Sequence, residues 1–303
     1  MCAGVMTVVP IILSQTVYQL SGTIDNALFG QLMILQGKSE ETTSLLWGLY
    51  ANKYRMLTNL PVAIATALGT SIVPALANTW AIGDDDGVRR KIASSVRFNM
   101  LIAIPSAVGL GVLAEPVIRL LFSGTEIEQS AGLLTAGSVA VVFFAYSTLT
   151  NGILQGIDKM KLPVYHAAVS LVLHVACLAL MLGVFRLDAY GLVIGNVLYA
   201  LCVCALNWRA IARHAEYRQE IRSTFLMPTL CAAVMGAVAY LAYHGLYLLT
   251  ERNMISVLAA IAAAVVCYGL LLVVTRTVSE EELLGFPKGG SLVRLLKRAR
   301  LLP

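Results

Sequence analysis

Residues 46–77 read LWGLYANKYRMLTNLPVAIATALGTSIVPALA, an apolar run interrupted by two basic side chains, Lys53 and Arg55. The hydrocarbon core of a bilayer, about 30 Å thick, is crossed by about 20 residues of helix. The run is therefore long enough to span a membrane. The apolar segment before it contains SGTIDNALFG at residues 21–30, with an acidic side chain at Asp25. Asp25, Lys53 and Arg55 are charged residues within otherwise apolar segments.

The composition indicates an integral membrane protein. Of 303 residues, 58% are hydrophobic and 13% are charged, and the mean hydropathy is +0.78. This leaves too little polar surface for a soluble globule of this size. The apolar segments are continuous and do not alternate as barrel strands do, so the predicted fold class is all-α with eight transmembrane helices. The predicted spans are residues 4–35, 45–79, 98–114, 131–154, 164–185, 190–206, 225–249 and 254–274.

The loops between these spans predict an orientation. Cytoplasmic loops of membrane proteins carry an excess of Lys and Arg. Most of the 22 Lys and Arg residues fall on the side that also carries both ends of the chain. We therefore expect both termini to be cytoplasmic.

Polar residues recur at helical spacing around the intramembrane charges. A charged side chain at the centre of a membrane helix costs about 2.5 to 3.5 kcal/mol on insertion scales, so it normally faces a polar cavity or another charge. In the second span Asn52, Arg55 and Asn59 fall at i, i+3 and i+7. In the first span a second stripe comprises Gln15, Gln19, Gly22 and Asn26, which are separated by four, three and four residues. Both stripes are predicted to face inward.

Asp25 and Arg55 are predicted to lie at matching depth. Each is about ten residues from the outer end of its span, or about 15 Å along a helix. Asp25 and Arg55 can form a structural ion pair, or they can contact a substrate or a coupling ion. If they pair, Lys53 remains as one unbalanced positive charge, which favours contact with a substrate or ion. The candidate substrate-binding residues are Asp25, Asn26, Asn52, Lys53, Arg55 and Asn59.

Other chemistry has little support in the sequence. The six cysteines lie in apolar surroundings typical of small core residues, and the four histidines lack metal-binding spacing. There is no nucleotide-binding loop and no cluster of nucleophile, base and orienting group. We expect no metal, no cofactor, no nucleic-acid partner and no enzymatic activity.

Four stretches carry a resemblance to a known family. Two are the segments at residues 21–30 and 46–77. The others are NGILQGIDKMKLPV at 151–164 and TRTVSEEELLGFPKGGSLVRLLKRARLL at 275–302. In this order they resemble the polysaccharide-transporter branch of the multidrug/oligosaccharidyl-lipid/polysaccharide exporter superfamily, especially the stage V sporulation protein B group of lipid II flippases. The resemblance implies two six-helix lobes plus a final helix pair in the bacterial cytoplasmic membrane.

This resemblance implies a division of the chain and a function. Residues 1–216 correspond to the second lobe, 217–275 to the terminal pair and 276–303 to a basic amphipathic tail on the membrane surface. Only the second lobe and the final pair are matched, so we expect the sequence to be a C-terminal fragment of the complete transporter, or a chain whose first lobe is supplied by a partner chain, or a remnant that no longer transports. The implied activity is flipping of an anionic lipid-linked oligosaccharide by alternating access. The alternatives are a cation-coupled multidrug antiporter that uses Asp25, and a non-transporting membrane subunit of envelope-synthesis machinery.

Overall fold

The computed structural model describes residues 21–122, 124, 126–275 and 277. The first part of the predicted span 4–35, with Gln15 and Gln19, lies outside the described residues. So does the predicted tail at 276–303, apart from Thr277. All the structural statements below concern the described residues.

The described chain is helical and separates between Gln219 and Glu220 into two compact units. The first unit contains nine α-helices and one π-helical turn, π1. They are α1 (21–35), α2 (Glu40–Gly48), π1 (Leu49–Tyr54), α3 (Arg55–Ala81), α4 (Asp85–Val112), α5 (Ala114–Leu121), α6 (Ile127–Gly137), α7 (Ala140–Gly156), α8 (Lys161–Gly183) and α9 (Asp188–His214). The second unit contains π2 (Arg222–Leu226), α10 (Met227–Thr250) and α11 (Asn253–Val274).

Two helices begin earlier than their predicted spans because polar residues cap them. The Ser39 hydroxyl accepts a hydrogen bond from the Thr42 N–H at 3.2 Å, and α2 begins at Glu40. The Asp84 carboxylate accepts one from the Gly87 N–H at 2.8 Å, and α4 begins at Asp85. Such caps satisfy the free N–H groups of the first turn. Hydropathy alone places these helix starts too late because the first turns are polar.

Six of the described helical segments are long and apolar enough to cross a membrane, or seven if one bent pair counts as a single span. An all-helical membrane protein is therefore confirmed. The first predicted span, residues 4–35, is described only from residue 21, so the prediction of eight spans is not tested in full. The longest helical segment is continuous from Glu40 to Ala81 and includes π1.

The prediction of one continuous helix at 131–154 is corrected by the structure. Two helices, α6 and α7, occupy this segment and meet at 49°. α6 ends at Gly137, whose Cα packs against the Tyr54 ring where a side chain would clash. The Tyr54 hydroxyl donates a hydrogen bond to the Gly137 carbonyl at 3.2 Å. The phenol thus satisfies a carbonyl at the end of a helix, which hydrocarbon cannot do.

α7 packs against α3, α4 and α9 in the interior of the first unit. In its contact with α3, Gly152 faces the Gly69 carbonyl, and a Cβ built on Gly152 would overlap that oxygen. Small residues let membrane helices approach to backbone contact, where dispersion forces hold them together.

In the second unit α10 and α11 pack against each other. The Tyr243 hydroxyl donates to the side-chain oxygen of Asn253 at 2.9 Å, which joins the two helices near their connecting turn. That turn contains Glu251 in the left-handed conformation at φ 52°.

The Gly152 contact generates a stability prediction. Gly→Ala in a helix ordinarily stabilises by about 0.5–1 kcal/mol. We expect Gly152→Ala to lower the free energy of unfolding instead, by about 1–3 kcal/mol, because the methyl group separates α7 from α3. Gly109→Ala on α4 is the matched control, since nothing lies within 4 Å of a Cβ there. Unfolding in detergent measures both, and equal stability of the two variants would contradict the packing.

Candidate functional site

The Asp25 side chain is buried inside the first unit and contacts a histidine. Its Oδ1 lies 2.6 Å from Nε2 of His174 on α8, and the two side chains are 2% and 0% exposed. The other ring nitrogen of His174, Nδ1, lies 2.9 Å from the Gly195 carbonyl oxygen on α9. A Cβ at Gly195 would lie 3.1 Å from the imidazole, so glycine leaves room for the ring. His174 thus connects three helices, α1, α8 and α9.

The structure pairs Asp25 with His174 instead of Arg55. No ion pair joins Asp25 to Arg55 within the described ranges. Sequence reasoning missed His174 because it searched the histidines for metal-ligand spacing. A usable signal was present: His166, Ser170 and His174 step by four along α8, and all three are buried.

Lys53 and Arg55 point to different neighbours. The Lys53 ammonium donates to the Ser130 hydroxyl on α6 at 3.1 Å and lies 5.9 Å from the centre of the Phe122 ring. The Arg55 guanidinium lies against α1, where a Cβ built on Gly22 would be 3.2 Å from its Nη1. Both side chains are half-buried. No ion pair neutralises either of them in the part of the chain that the structure describes.

The three candidate asparagines are exposed. Asn26 lies on α1 and Asn52 on π1. Asn59, seven residues after Asn52, lies on α3. Thr66 continues the same spacing and is also exposed. Within the described residues none of the three amides makes a side-chain hydrogen bond. We call Asn26, Asn52, Asn59 and Thr66 the polar strip.

The buried asparagines behave differently. The Asn207 amide donates to the Thr150 hydroxyl at 2.9 Å and to the Asn151 side-chain oxygen at 2.8 Å, and its oxygen lies 2.7 Å from His166 Nδ1. Asn196 donates to the Tyr50 hydroxyl. Both amides are hydrogen-bonded inside the unit, as most buried polar groups are. Asn207 joins α9 to α7 and α8, and Asn196 joins α9 to π1.

The first unit is thus a lobe of apolar helices with exposed asparagines near two cations, and solved structures share this fold. One is an outward-facing multidrug resistance MATE family transporter of the MOP superfamily, and another is a MOP superfamily transporter from Pyrococcus furiosus. Each matches with a TM-score of 0.53 and 13% identity, over 87% of this chain and 63% of the other. This similarity establishes a MATE-like fold over most of the chain.

The family model for the lipid II flippase MurJ matches residues 5–275. The chain therefore belongs to the lipid II flippase MurJ family. The predicted superfamily is confirmed, and so is the prediction that the chain belongs to a transporter family and not to an enzyme family.

Individual relatives agree with the family. The lipid II flippase MurJ of Bacillus subtilis is 26% identical over 70% of this chain and 39% of its own length. A probable lipid II flippase MurJ of Bdellovibrio bacteriovorus is 28% identical over 70% of this chain and 42% of its own. The uncharacterized membrane protein YabM of Bacillus subtilis is 24% identical over 86% of this chain and 49% of its own. The chain spans less than half the length of these relatives.

The contrast between buried and exposed asparagines generates a second prediction. Asn207→Ala should lower the free energy of unfolding by about 1–3 kcal/mol, because it leaves the buried Nδ1 of His166 without its hydrogen-bond partner. Asn59→Ala removes the same amide from an exposed position and should change stability by less than about 0.5 kcal/mol. Chemical unfolding in detergent micelles compares the two. A loss at Asn59 as large as that at Asn207 would contradict a solvated, ligand-facing strip.

Proposed function

We propose that this chain is the second lobe of a flippase for undecaprenyl-pyrophosphate-linked oligosaccharides of the lipid II class. The polar strip and the cations Lys53 and Arg55 form the wall of its transport cavity. The observation that carries the proposal is the set of unpaired amides in membrane-spanning helices. An unsatisfied amide is costly in hydrocarbon and inexpensive in water, so this face lines a wet cavity.

The charges around the strip favour an anionic substrate. Asp25 is paired with His174, so its negative charge is not available to neutralise Arg55 or Lys53. A guanidinium and an ammonium at the cavity wall suit a pyrophosphate, and the amides of the strip suit sugar hydroxyls. A cation substrate would meet repulsion here, which disfavours the antiporter alternative. Asp25 itself is too deeply buried to touch the substrate.

A flippase cavity needs a facing wall. The relatives are more than twice as long as the matched segment, which supports a second lobe in the same polypeptide or in another chain. On this proposal residues 1–216 form one lobe, residues 217–275 a terminal helix pair and residues 276–303 a surface tail. Both termini lie in the bacterial cytoplasm, on the side that is rich in Lys and Arg.

The membrane potential supplies a driving force for this substrate. Each elementary charge that crosses the membrane gains or loses about 2.3 kcal/mol per 100 mV. Outward movement of a pyrophosphate with about two negative charges is therefore favoured by an inside-negative potential. Export on this scheme requires no nucleotide hydrolysis.

Neutralising the cations tests the proposal in the complete two-lobe transporter. We expect Arg55→Ala to slow flipping of fluorescent lipid II in proteoliposomes about tenfold or more, since one charge-assisted hydrogen bond contributes about 1.5–3 kcal/mol. Arg55→Lys should recover only part of the rate, because an ammonium does not reproduce the guanidinium fork. Lys53→Ala should have a smaller effect because its ammonium already donates to Ser130.

Arg209→Ala is the control for that experiment. Arg209 is an exposed cation near the end of α9, a helix that carries no residue of the strip. It should leave the flipping rate unchanged. Wild-type flipping by the double variant Lys53→Ala and Arg55→Ala would overturn the proposed substrate site.

A further inference from the structure

The contact between Asp25 and His174 contains a single proton. The Gly195 carbonyl can only accept a hydrogen bond, so Nδ1 of His174, 2.9 Å away, carries a hydrogen. Nε2 lies 2.6 Å from a carboxyl oxygen of Asp25, and a hydrogen must lie between these two atoms as well. The second hydrogen belongs either to an imidazolium facing a carboxylate or to a carboxylic acid facing a neutral imidazole. In both forms the pair is electrically neutral, as its complete burial requires.

Neither more nor fewer protons are compatible with this geometry. Without the shared proton, a lone pair of Nε2 would face a carboxylate oxygen, and the two would repel each other at the observed distance. With a second proton, the pair would carry a positive charge, buried in a lobe that already contains Arg55 against the same helix, α1. The contact between α1 and α8 is therefore closed only in the singly protonated state.

The groups around Asp25 and His174 are not part of this proton-sharing contact. Among the described residues, the other titratable or charged side chains found near the pair are Tyr50 on π1, Tyr199 on α9 and Arg55 on α3. The Tyr199 ring packs edge-on to the imidazole, with 5.8 Å between ring centres. Phenols and guanidinium keep their protons at neutral pH. Imidazole is the type of side chain at this contact that binds and releases protons near neutral pH.

Opening this contact would change the proposed cavity wall. Asp25 precedes Asn26 of the polar strip, and Gly22, one turn earlier on α1, packs against Arg55. A movement of α1 away from α8 therefore displaces one asparagine of the strip and the surface on which Arg55 rests. The movable element and the proposed substrate face are the same helix.

We propose that Asp25 and His174 form a proton-binding site that couples proton uptake and release to the position of α1. With the proton bound, α1 is held against α8 and α9. When the proton leaves, the carboxylate separates from the imidazole and α1 moves. This inference rests on the proposed function only where it calls the moving face substrate-facing, since proton binding itself requires no substrate.

The test measures the distance between α1 and α9 in the full chain in lipid nanodiscs without any sugar lipid. Spin labels are placed on cysteines at the exposed positions Ala27 and Leu201, in a background in which the six native cysteines are replaced. In the otherwise wild-type chain we expect the distance to increase as the pH rises, along a curve for release of one proton. The double variant Asp25→Asn with His174→Gln should abolish this change, because its two amides can bond to each other but cannot titrate.

His166→Gln is the matched control for that series. His166 is also buried, lies two turns earlier on α8 and bonds to Asn207, so its loss should leave the pH-dependent distance intact. A distance that is independent of pH in the wild-type background would overturn the proposal. It would equally be overturned by a pH response that survives in the double amide variant, or by a distance that follows sodium concentration at constant pH. Because no substrate is present, none of these results depends on what the transporter carries.

Discussion

The structure depends on one constraint: a polar group inside a bilayer must be paired within the protein or face water. The first unit responds to this constraint in two ways. Several of its buried polar groups bond across helices, as His174 does with Asp25 and Gly195, and as Asn207 does with Thr150 and Asn151. Its exposed amides at Asn26, Asn52 and Asn59 make no side-chain hydrogen bond with any described residue. The division between these two sets separates the scaffold of the lobe from the face on which we propose transport.

The fold was predictable where hydropathy determines it. Continuous apolar runs predict helices, and charges within them predict a polar face. The bend between α6 and α7 was not predictable in this way, because residues 131–154 contain no charged side chain and have the hydropathy of a single span. At the bend Gly137 contacts Tyr54, which lies 83 residues away in the sequence. The early starts of α2 and α4 were missed for the opposite reason, since their capped first turns are too polar to register as membrane helix.

The candidate site was predictable only in part. Helical spacing placed Asn52 and Asn59 on one face, and both are exposed. The same reasoning brought Asp25 to the depth of Arg55, but depth does not determine the rotation of a helix about its own axis. That rotation points the carboxylate at His174, 149 residues away, and leaves Asn26 outside. Adjacent residues on α1 thus serve different purposes, one inside the lobe and one on the proposed cavity wall.

The central claim is that the polar strip faces water within the membrane, and its most direct measurement is local solvent access in the assembled transporter in lipid. A spin label at position 59 should collide more often with a water-soluble nickel complex than with lipid-soluble oxygen. A label at Ile64, an exposed apolar position further along the same helix, should show the reverse preference. Preference for oxygen at both positions would mean that Asn59 faces lipid, and the transport surface described for this lobe would be contradicted.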